Sequence, residues 1–439
     1  VHWKGVPEKW RLDLKNLHLG LTGHPWAAGR LRIEHDPAES TVRIGHLDLG
    51  DVGAFIADLP GENRAREWLS ALRPSGGLNG VKLHISHDDP DHPRYALELD
   101  ARDIQVEPHR FVPGVSGVSG HLVLTQEQGE FELDAGSGSL TLPQMFRETL
   151  AWRKASGRVS WRRTAEYWQL QAEDLRLSAE DGKVKGALEL RLPHAAGESP
   201  YLDLRAELRD GNGAHAARYY PSSAPPDLRA WLEASVLSGE VTHGHLILSG
   251  AISDFPFRND NGQFEVAAHV RNGLFEYLPG WPRIEQVEAD LLLRGAELVI
   301  TARDGRIGRL AVGQVVARIE DLEQKNDQRV YVSGRVEGEI QEALEVLSQS
   351  PSLPKGSALL VSGMRGDGRG RLALDLVIPL EAKRPFALAG EYRFRQAALH
   401  LPFAGISLEH LEGGVDFDAD GLTAVGLHGR MLGGEFRLQ

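Results

Sequence analysis

Apolar residues recur at every second position along most of this chain, and that alternation constrains its fold more than any other feature. Segments such as RLDLKNLHL, VRIGHLDL, LELRL and RLALDLVI show it clearly. The period is typical of strands with one apolar and one hydrated face. The dipeptides Asp181-Gly182, Asn272-Gly273 and Asp304-Gly305 predict tight hairpin turns. Such short connections favour antiparallel neighbours, and the pattern predicts roughly thirty strands.

A few segments carry a helical pattern instead. Apolar residues at i, i+3, i+4 and i+7 or i+8 predict short amphipathic helices within 60–74 and 225–239 and from Ile340 to the residue before Pro351. A weaker pattern predicts a fourth helix from Gln144 to about Arg153. These helices together are too short to cover the apolar faces of so many strands.

Two architectures resolve that mismatch. The sheet can pack against itself as sandwiches or barrels, which bury apolar faces against each other. It can instead curl into a groove whose apolar floor holds another molecule. Alternation is common to both, and on periodicity alone the closed sandwich is favoured.

Composition excludes several classes of function. At 439 residues the chain exceeds what one hydrophobic core serves, and it contains no apolar run long enough to span a membrane. The absence of Cys excludes disulfides, thiolate catalysis and Cys-based metal sites. A formal charge of −13 argues against a nucleic-acid partner. The chain opens on Val1 without an initiator Met or a signal-peptide pattern, so we expect a piece of a longer protein.

Motifs of catalysis and metal binding are weak. DFDADG at 416–421 begins like a calcium loop, but Leu427 stands where the bidentate Glu is needed, so a hairpin is the better interpretation. His243 and His245 fall on one face of a strand without an evident third ligand, which favours a hydrated rim. We predict no catalytic residue, no metal site and no cofactor.

Three ordered segments carry a family resemblance. They are LPGENRAREWLSALRPSGGLNGVKL (Leu59–Leu83), the stretch from ESPYLDLRAEL through ARYYP, PPDLRAWLEASVLSGEV and FPFRNDNGQFEV (Glu198–Val266), and RNGLFEYLPGWPRIEQVEADLLLRGAELVITARDGRIG (Arg271–Gly308). In this order of motifs the chain resembles the YhdP-type branch of the AsmA-like family, bacterial envelope proteins related to the TamB group.

The resemblance implies a mainly β fold, a long, twisted, mostly antiparallel sheet curled into a U-shaped hydrophobic groove with a few short amphipathic helices packed on it. We expect one continuous groove fragment over residues 1–439, with sub-repeats near 1–140, 141–310 and 311–439.

The resemblance also implies a function, non-enzymatic bridge-like transport of phospholipid across the periplasm from the inner to the outer membrane. Its expected partners are phospholipid acyl chains, the inner membrane through an anchor absent from this fragment, and outer-membrane or periplasmic proteins at the ends. The alternative is a closed multi-domain β-sandwich acting as scaffold or adhesin in envelope assembly. A β-helical carbohydrate enzyme is weaker, because Trp68-Leu69 and Trp231-Leu232 repeat at 163 residues and not at the roughly 20–30 of such coils.

The candidate lipid-binding residues are the apolar alternates, since a groove floor uses every second side chain. They are Val81, Leu83, Ile85, Leu97, Leu99, Leu246, Leu248, Phe264, Val266, Leu298, Ile300, Leu372, Leu374, Leu376, Phe386, Leu388, Tyr392 and Phe394. Two aromatic residues beside prolines, Tyr277 and Trp281, are candidates for the groove wall, with core packing at a strand corner as the alternative. We expect Trp68 and Trp231 to hold their helices on the sheet. Some candidates will be covered by a helix.

Overall fold

The protein is built almost entirely from β-strands. A computed structural model describes residues 2–21, 24–51, 64–89, 94–110, 112–277, 279–324, 326–349, 359, 361–380, 387–418 and 421–438. Within that part of the chain the strands are β1 (His2–Val6), β2 (Lys9–Leu21), β3 (His24–His35), β4 (Glu39–Asp48), β5 (Ser75–Ser86), β6 (Arg94–Val106), β7 (Gly114–Thr125), β8 (Gln128–Ala135), β9 (Gly138–Thr141), β10 (Leu150–Trp152), β11 (Lys154–Arg163), β12 (Tyr167–Ser178), β13 (Lys183–Pro193), β14 (Tyr201–Asn212), β15 (Val236–Ala251), β16 (Gly262–Phe275), β17 (Ile284–Arg294), β18 (Glu297–Ile307), β19 (Leu310–Ile319), β20 (Arg329–Glu339), β21 (Arg365–Pro379), β22 (Ala387–Leu401), β23 (Ile406–Phe417), β24 (Leu422–Met431) and β25 (Gly434–Arg437).

Short helices interrupt this series. The longer α-helices in the described part of the chain are α1 (Arg64–Leu72), α2 (Pro226–Ser235) and α3 (Ile340–Ser348), and 3-10 helices span Gly213–Tyr219 and Ile252–Asp254. Residues 49–51 and 361–363 are also helical. Pro226 occupies the first turn of α2, where its missing N–H has no helical partner to lose. Each of α1, α2 and α3 lies close to a predicted helix, so the spacing of apolar residues was sufficient to find them.

The chain forms two compact units, each a sequential antiparallel meander. Unit 1 comprises residues 1–207 and 247–255, and unit 2 comprises 208–246 and 256–439. In unit 1 each strand from β1 to β8 pairs with the next, and β8, β11, β12 and β13 continue the series. In unit 2 the pairing runs in sequence from β16 to β25.

The described strands all belong to one antiparallel sheet that does not close on itself. Within the part of the chain described, β1 pairs with β2 and β25 pairs with β24. The mainly β, antiparallel fold class predicted from the sequence is therefore confirmed, and a sheet that is not closed fits a curled groove. The three sub-repeats stay a prediction.

A recurrent β-bulge bends the strands at one position. In β6 the apolar alternation passes from Ala101 to Ile104, and Asp103 between them has a φ of 50°. The same arrangement recurs in β12, β16, β17, β22 and β23. In each, a residue on the apolar side is followed three positions later by the next residue on that side, and the residue just before this second one has a left-handed backbone. The left-handed residues there are Asp174 (48°), Asn272 (51°), Gln286 (53°), Gln396 (45°) and His410 (50°). Each bulge shifts the alternation by one residue, so apolar side chains stay on one face while the strand gains twist.

Two helices pack on apolar strand residues of unit 2. Leu228 of α2 is 1% exposed in a cluster with Ile319 and Val330, and Ile340 of α3 is 2% exposed in a cluster with Leu411. A Cβ on Gly366 of β21 would lie 2.4 Å from Cγ2 of Ile340, so only glycine permits this close approach.

Three local predictions are wrong. Residues 144–153 form no helix, because the turn after Leu142 leads into the β9–β10 hairpin, in which Leu150 opposes Leu140. Asn272-Gly273 lies at the bulge inside β16, and Asp304-Gly305 lies inside β18. Asp181-Gly182 does form the turn between β12 and β13, where the Ala179 N–H donates to the Gly182 carbonyl at 2.9 Å.

Candidate lipid-binding face

One face of unit 1 carries an uninterrupted cross-strand row of mostly apolar residues. Directly opposed residues of an antiparallel pair share a face, so the register identifies the members of the row. From β1 to β8 and on through β11, β12 and β13 they are Trp3, Leu12, Ile33, Val42, Leu83, Leu97, Leu124, Gly129, Trp161, Leu170 and Leu190. At about 4.8 Å between strands, the row extends for about 50 Å. We call this side of the sheet the apolar face.

Gly129 is part of the row because an indole covers it. A Cβ at Gly129 would lie 2.3 Å from Cζ2 of Trp161, so the ring of Trp161 fills the place of the missing side chain. The hydrophobic surface therefore continues across β8 without a gap.

The opposite side of unit 1, the polar face, is held by charged pairs. Lys82 and Glu98 are 3.4 Å apart, and the Nδ1 of His121 lies 2.8 Å from Oδ1 of Asp100. These residues alternate with members of the apolar row along the same strands. The two sides of the sheet thus offer opposite chemistry, one for water and one for hydrocarbon.

Unit 2 repeats this organisation. Its apolar face contains a row across β16–β22, formed by Ala268, Leu291, Ile300, Ala317, Val332, Leu376 and Leu388. A second row crosses β19–β24 and consists of Val312, Val336, Leu372, Tyr392, Val415 and Ala424. The apolar face is therefore built twice along the chain by the same strand pairing.

Helix α2 covers part of the apolar face of unit 2. Leu298 and Leu376 are buried in the cluster that contains Leu228 of the helix, and Ile300, Leu374 and Leu388 pack against it, half-buried. The structure thus identifies which of the predicted lipid-binding residues of unit 2 pack under α2. The sequence alone did not decide this.

The Tyr277 and Trp281 pair lies beside α2. The Nε1–H of Trp231 donates to the Tyr277 carbonyl at 3.3 Å, and the ring of Trp231 meets Phe275 edge-on. The rings of Tyr277 and Trp281 are 5.9 Å apart, and burial raises the pKa of the Tyr277 hydroxyl to about 12. Trp231 thus anchors α2 to this corner, whereas Trp68 in α1 is 45% exposed, with the His109 ring 5.9 Å away.

The predicted lipid-binding residues distribute over both units. Val81, Leu83, Ile85, Leu97 and Leu99 share the apolar face of unit 1 with the long row. In unit 2 the same face holds Phe264, Val266, Leu298, Ile300, Leu372, Leu374, Leu376, Leu388, Tyr392 and Phe394. Leu246 and Leu248 are half-buried alternates of β15, and Phe386 lies outside the described residues. Contact of any of them with lipid stays a prediction.

On the polar face of unit 2, Glu265 bonds with two basic side chains. It accepts a hydrogen bond from His245 Nε2 at 3.0 Å and another from the Arg294 guanidinium at 2.9 Å. The bond with His245, followed by the bond with Arg294, lowers the pKa of Glu265 below its usual value. His243 stacks on His269 with ring centroids 5.2 Å apart. Across the described part of the chain, no group of three or more His, Cys, Asp or Glu could hold a metal ion.

Comparison of the sequence with known proteins identifies the family of this chain. The family model described as YhdP protein matches residues 1–439, the whole chain. The chain belongs to the YhdP family. Among curated YhdP relatives, the Escherichia coli (strain K12) protein named intermembrane phospholipid transporter YhdP is 23% identical over 424 residues. The match covers 93% of this chain and 33% of the relative, so the chain spans about a third of that protein's length. No solved structure matches the chain.

The family assignment confirms the predicted resemblance, and the structure adds residues that sequence reasoning missed. Trp3, Leu12, Ile33, Trp161 and Leu170 belong to the apolar row of this YhdP-family chain but were not among the candidates. All of them lie in alternating segments, so the signal was present; only the register shows that they share one face. No described helix has the length and apolar character needed to cross a bilayer.

Proposed function

We propose that this chain is a section of a non-enzymatic bridge that moves phospholipid across the periplasm, from the inner to the outer membrane. The observation that carries the proposal is the row from Trp3 to Leu190, which presents hydrocarbon without a break across eleven strands of unit 1. The name of the Escherichia coli relative, intermembrane phospholipid transporter YhdP, supports it.

The energetics favour such a surface. Exposing an acyl chain of about sixteen CH₂ groups to water costs on the order of 13 kcal/mol, at about 0.8 kcal/mol per CH₂. An apolar face lowers that cost, and its side chains make no directional bonds that would hold the chain at one place. Headgroups stay in water while the tails move from one strand to the next. No step of this mechanism requires a nucleophile, a general base or a cofactor.

The full-length protein completes the proposal. We propose that it is anchored in the inner membrane and contacts outer-membrane or periplasmic proteins at its ends. This section, which spans about a third of the relative's length, supplies an apolar path.

Site-specific photo-crosslinking tests the path. A photoreactive residue at Leu83 or Leu97 on the apolar face is expected to crosslink phospholipid, and one at Lys82 or Glu98 on the polar face is not. The four positions lie on the same two strands, so differences in folding or expression are minimal. Equal recovery of lipid from both faces would contradict the proposal.

A further inference from the structure

One rim of the apolar face in unit 1 is polar and aromatic. A second cross-strand row runs parallel to the long row, and each of its members lies two residues along the strand from a member of the long row. It consists of Trp10, His35, Ser40, Ile85 and Tyr95. These positions alternate in step with Leu12, Ile33, Val42, Leu83 and Leu97, so they share the apolar face. Amphipathic rings are favoured at the headgroup region of a membrane, between hydrocarbon and water. A Trp, a Tyr and an imidazole at the edge of a hydrocarbon surface are therefore suited to contact lipid headgroups.

A hydrogen-bonded cluster lies within this rim. Ser40 Oγ is 2.7 Å from Nδ1 of His35 and 2.9 Å from Nε2 of His87. The two imidazole rings are 5.7 Å apart, and the ring of Trp10 lies 5.4 Å from that of His35. All four side chains are half-buried.

The cluster leaves hydrogen-bonding capacity for a ligand. A serine hydroxyl has one proton, so Ser40 donates to one ring and accepts from the other. The second nitrogen of each ring, Nε2 of His35 and Nδ1 of His87, lies outside this chain of bonds. When both imidazoles are neutral, the ring that accepts the Ser40 proton carries its own proton on its second nitrogen, and that N–H can donate to an oxyanion. Hydrogen bonds to an ionised acceptor are the stronger kind.

The adjoining turn carries the opposite charge. Asp36 accepts from the backbone N–H groups of Ala38 and Glu39, both at 3.0 Å. These two bonds, led by the one from Glu39, lower the pKa of Asp36, so its carboxylate is ionised at neutral pH. The exposed Lys9 ammonium lies 3.9 Å from the same carboxylate, a loose ion pair that the ammonium of a ligand can replace. A hydrogen-bond donor and a carboxylate in adjoining segments suit a ligand with a phosphate and an ammonium group.

We propose that the free imidazole N–H of this cluster, held in place by the Ser40 hydroxyl between His35 and His87, donates to the phosphate of a zwitterionic phospholipid headgroup, with its ammonium toward Asp36 and its acyl chains on the long apolar row. This inference rests on the proposed function, because it requires acyl chains on that face. It assigns headgroup preference to three side chains of this rim, whereas the apolar row is indifferent to the headgroup.

The test uses the intact chain and vesicles containing equal phosphatidylethanolamine and phosphatidylglycerol with identical acyl chains. Lipid taken up by the protein is extracted and quantified by mass spectrometry for wild type, Ser40→Ala and His87→Gln. The matched control is His84→Gln in β5, three residues before His87, which opposes Thr41 on the polar face. We expect wild type and His84→Gln to be enriched in phosphatidylethanolamine. Each cluster variant should lose about tenfold of that binding, as expected for one charge-assisted hydrogen bond.

Two further ligands separate the possible outcomes. Diacylglycerol, which lacks phosphate, should bind wild type and the cluster variants equally. Glycerophosphoethanolamine, which lacks acyl chains, should bind wild type far more weakly than the lipid does. If it binds as tightly, the cluster is a site for soluble phosphate esters and the headgroup proposal is overturned.

Failure of this inference differs from failure of the proposed function. Cluster variants that take up phosphatidylethanolamine and phosphatidylglycerol in the wild-type amount and ratio overturn the headgroup site and leave the apolar path intact. A wild-type chain that takes up neither phospholipid nor diacylglycerol overturns the path itself. Thermal unfolding is measured for each variant, and since Ser40 and His87 lie in different segments, either one that folds decides the test.

Discussion

Leu83 of β5 lies directly opposite Leu97 of β6 on the apolar face. On the other side of the same two strands, the neighbouring residues Lys82 and Glu98 form an ion pair of 3.4 Å. One pair of strands therefore presents hydrocarbon on one side and paired charge on the other. Because the relationship follows from strand register, it recurs wherever the alternation continues.

A charge on the apolar face should stop lipid binding without unfolding the protein. Leu124 and Val123 are adjacent in β7, the first half-buried on the apolar face and the second 45% exposed on the polar face. Leu124→Lys is expected to reduce lipid uptake at least about tenfold, since an acyl chain cannot replace the hydration of the ammonium group. Val123→Lys, placed between Glu98 and Glu130, should have no effect. Lipid extraction followed by mass spectrometry measures both, and equal uptake by the two variants would contradict the assignment of faces.

Truncating the buried leucine of α2 should destabilise unit 2. Leu228 is 1% exposed, so Leu228→Ala leaves a cavity between the helix and the sheet. We expect the free energy of unfolding to fall by about 2–5 kcal/mol. Ala230→Ser, at an exposed position of the same helix, should change it by less than about 0.5 kcal/mol. Urea denaturation measures both, and a loss below about 1 kcal/mol for Leu228→Ala would mean that α2 does not pack on the sheet as described.

The bulge positions should accept glycine and reject β-branched residues. Gln396 in β22 is exposed and has a φ of 45°, a conformation that costs β-branched side chains most. Gln396→Gly is expected to leave stability unchanged or to raise it slightly, because glycine adopts this φ without strain. Gln396→Val should lower the free energy of unfolding by about 1–3 kcal/mol. The difference between the two variants in thermal unfolding is the readout, and a Val variant as stable as the Gly variant would exclude the bulge.

Acid should weaken unit 2 through Glu265. Its pKa is lowered in the folded state, chiefly by the hydrogen bond with His245 and then by Arg294. A carboxylate with a lowered pKa contributes stability that is complete above its unfolded value, near 4.5, and that is lost as pH falls through the folded value. Stability should therefore decrease below about pH 4.5. Glu265→Gln should flatten that decrease, as measured by urea denaturation between pH 3 and pH 7; identical pH profiles for wild type and Glu265→Gln would refute the assignment.

Local sequence patterns predicted the helices and strands well and the tertiary packing between them poorly. The stripe that includes Leu228 and Trp231 identified α2, because a helix face depends on residues close together in sequence. Covering of Leu298 and Leu376 by that helix was beyond such reasoning, since the residues come together only through tertiary packing. Helix propensity after Gln144 was overridden by the β9–β10 hairpin.

The bulges explain a second limit. An Asn-Gly dipeptide is a strong turn signal, but Asn272 takes its left-handed φ within a strand. The change of phase from Val270 to Gly273 was the better indicator, because a slip of one residue in the alternation marks a bulge. The family resemblance could be recognised from the sequence because each of its motifs lies in one continuous segment.

The meander determines how the length of such a sheet can change. Since each strand bonds mainly with its neighbours along the chain, adding one hairpin extends a unit by two strands, or about 10 Å, and leaves distant pairings unchanged. The length of a unit is thus inherited as a number of hairpins, a quantity that duplication and deletion can adjust.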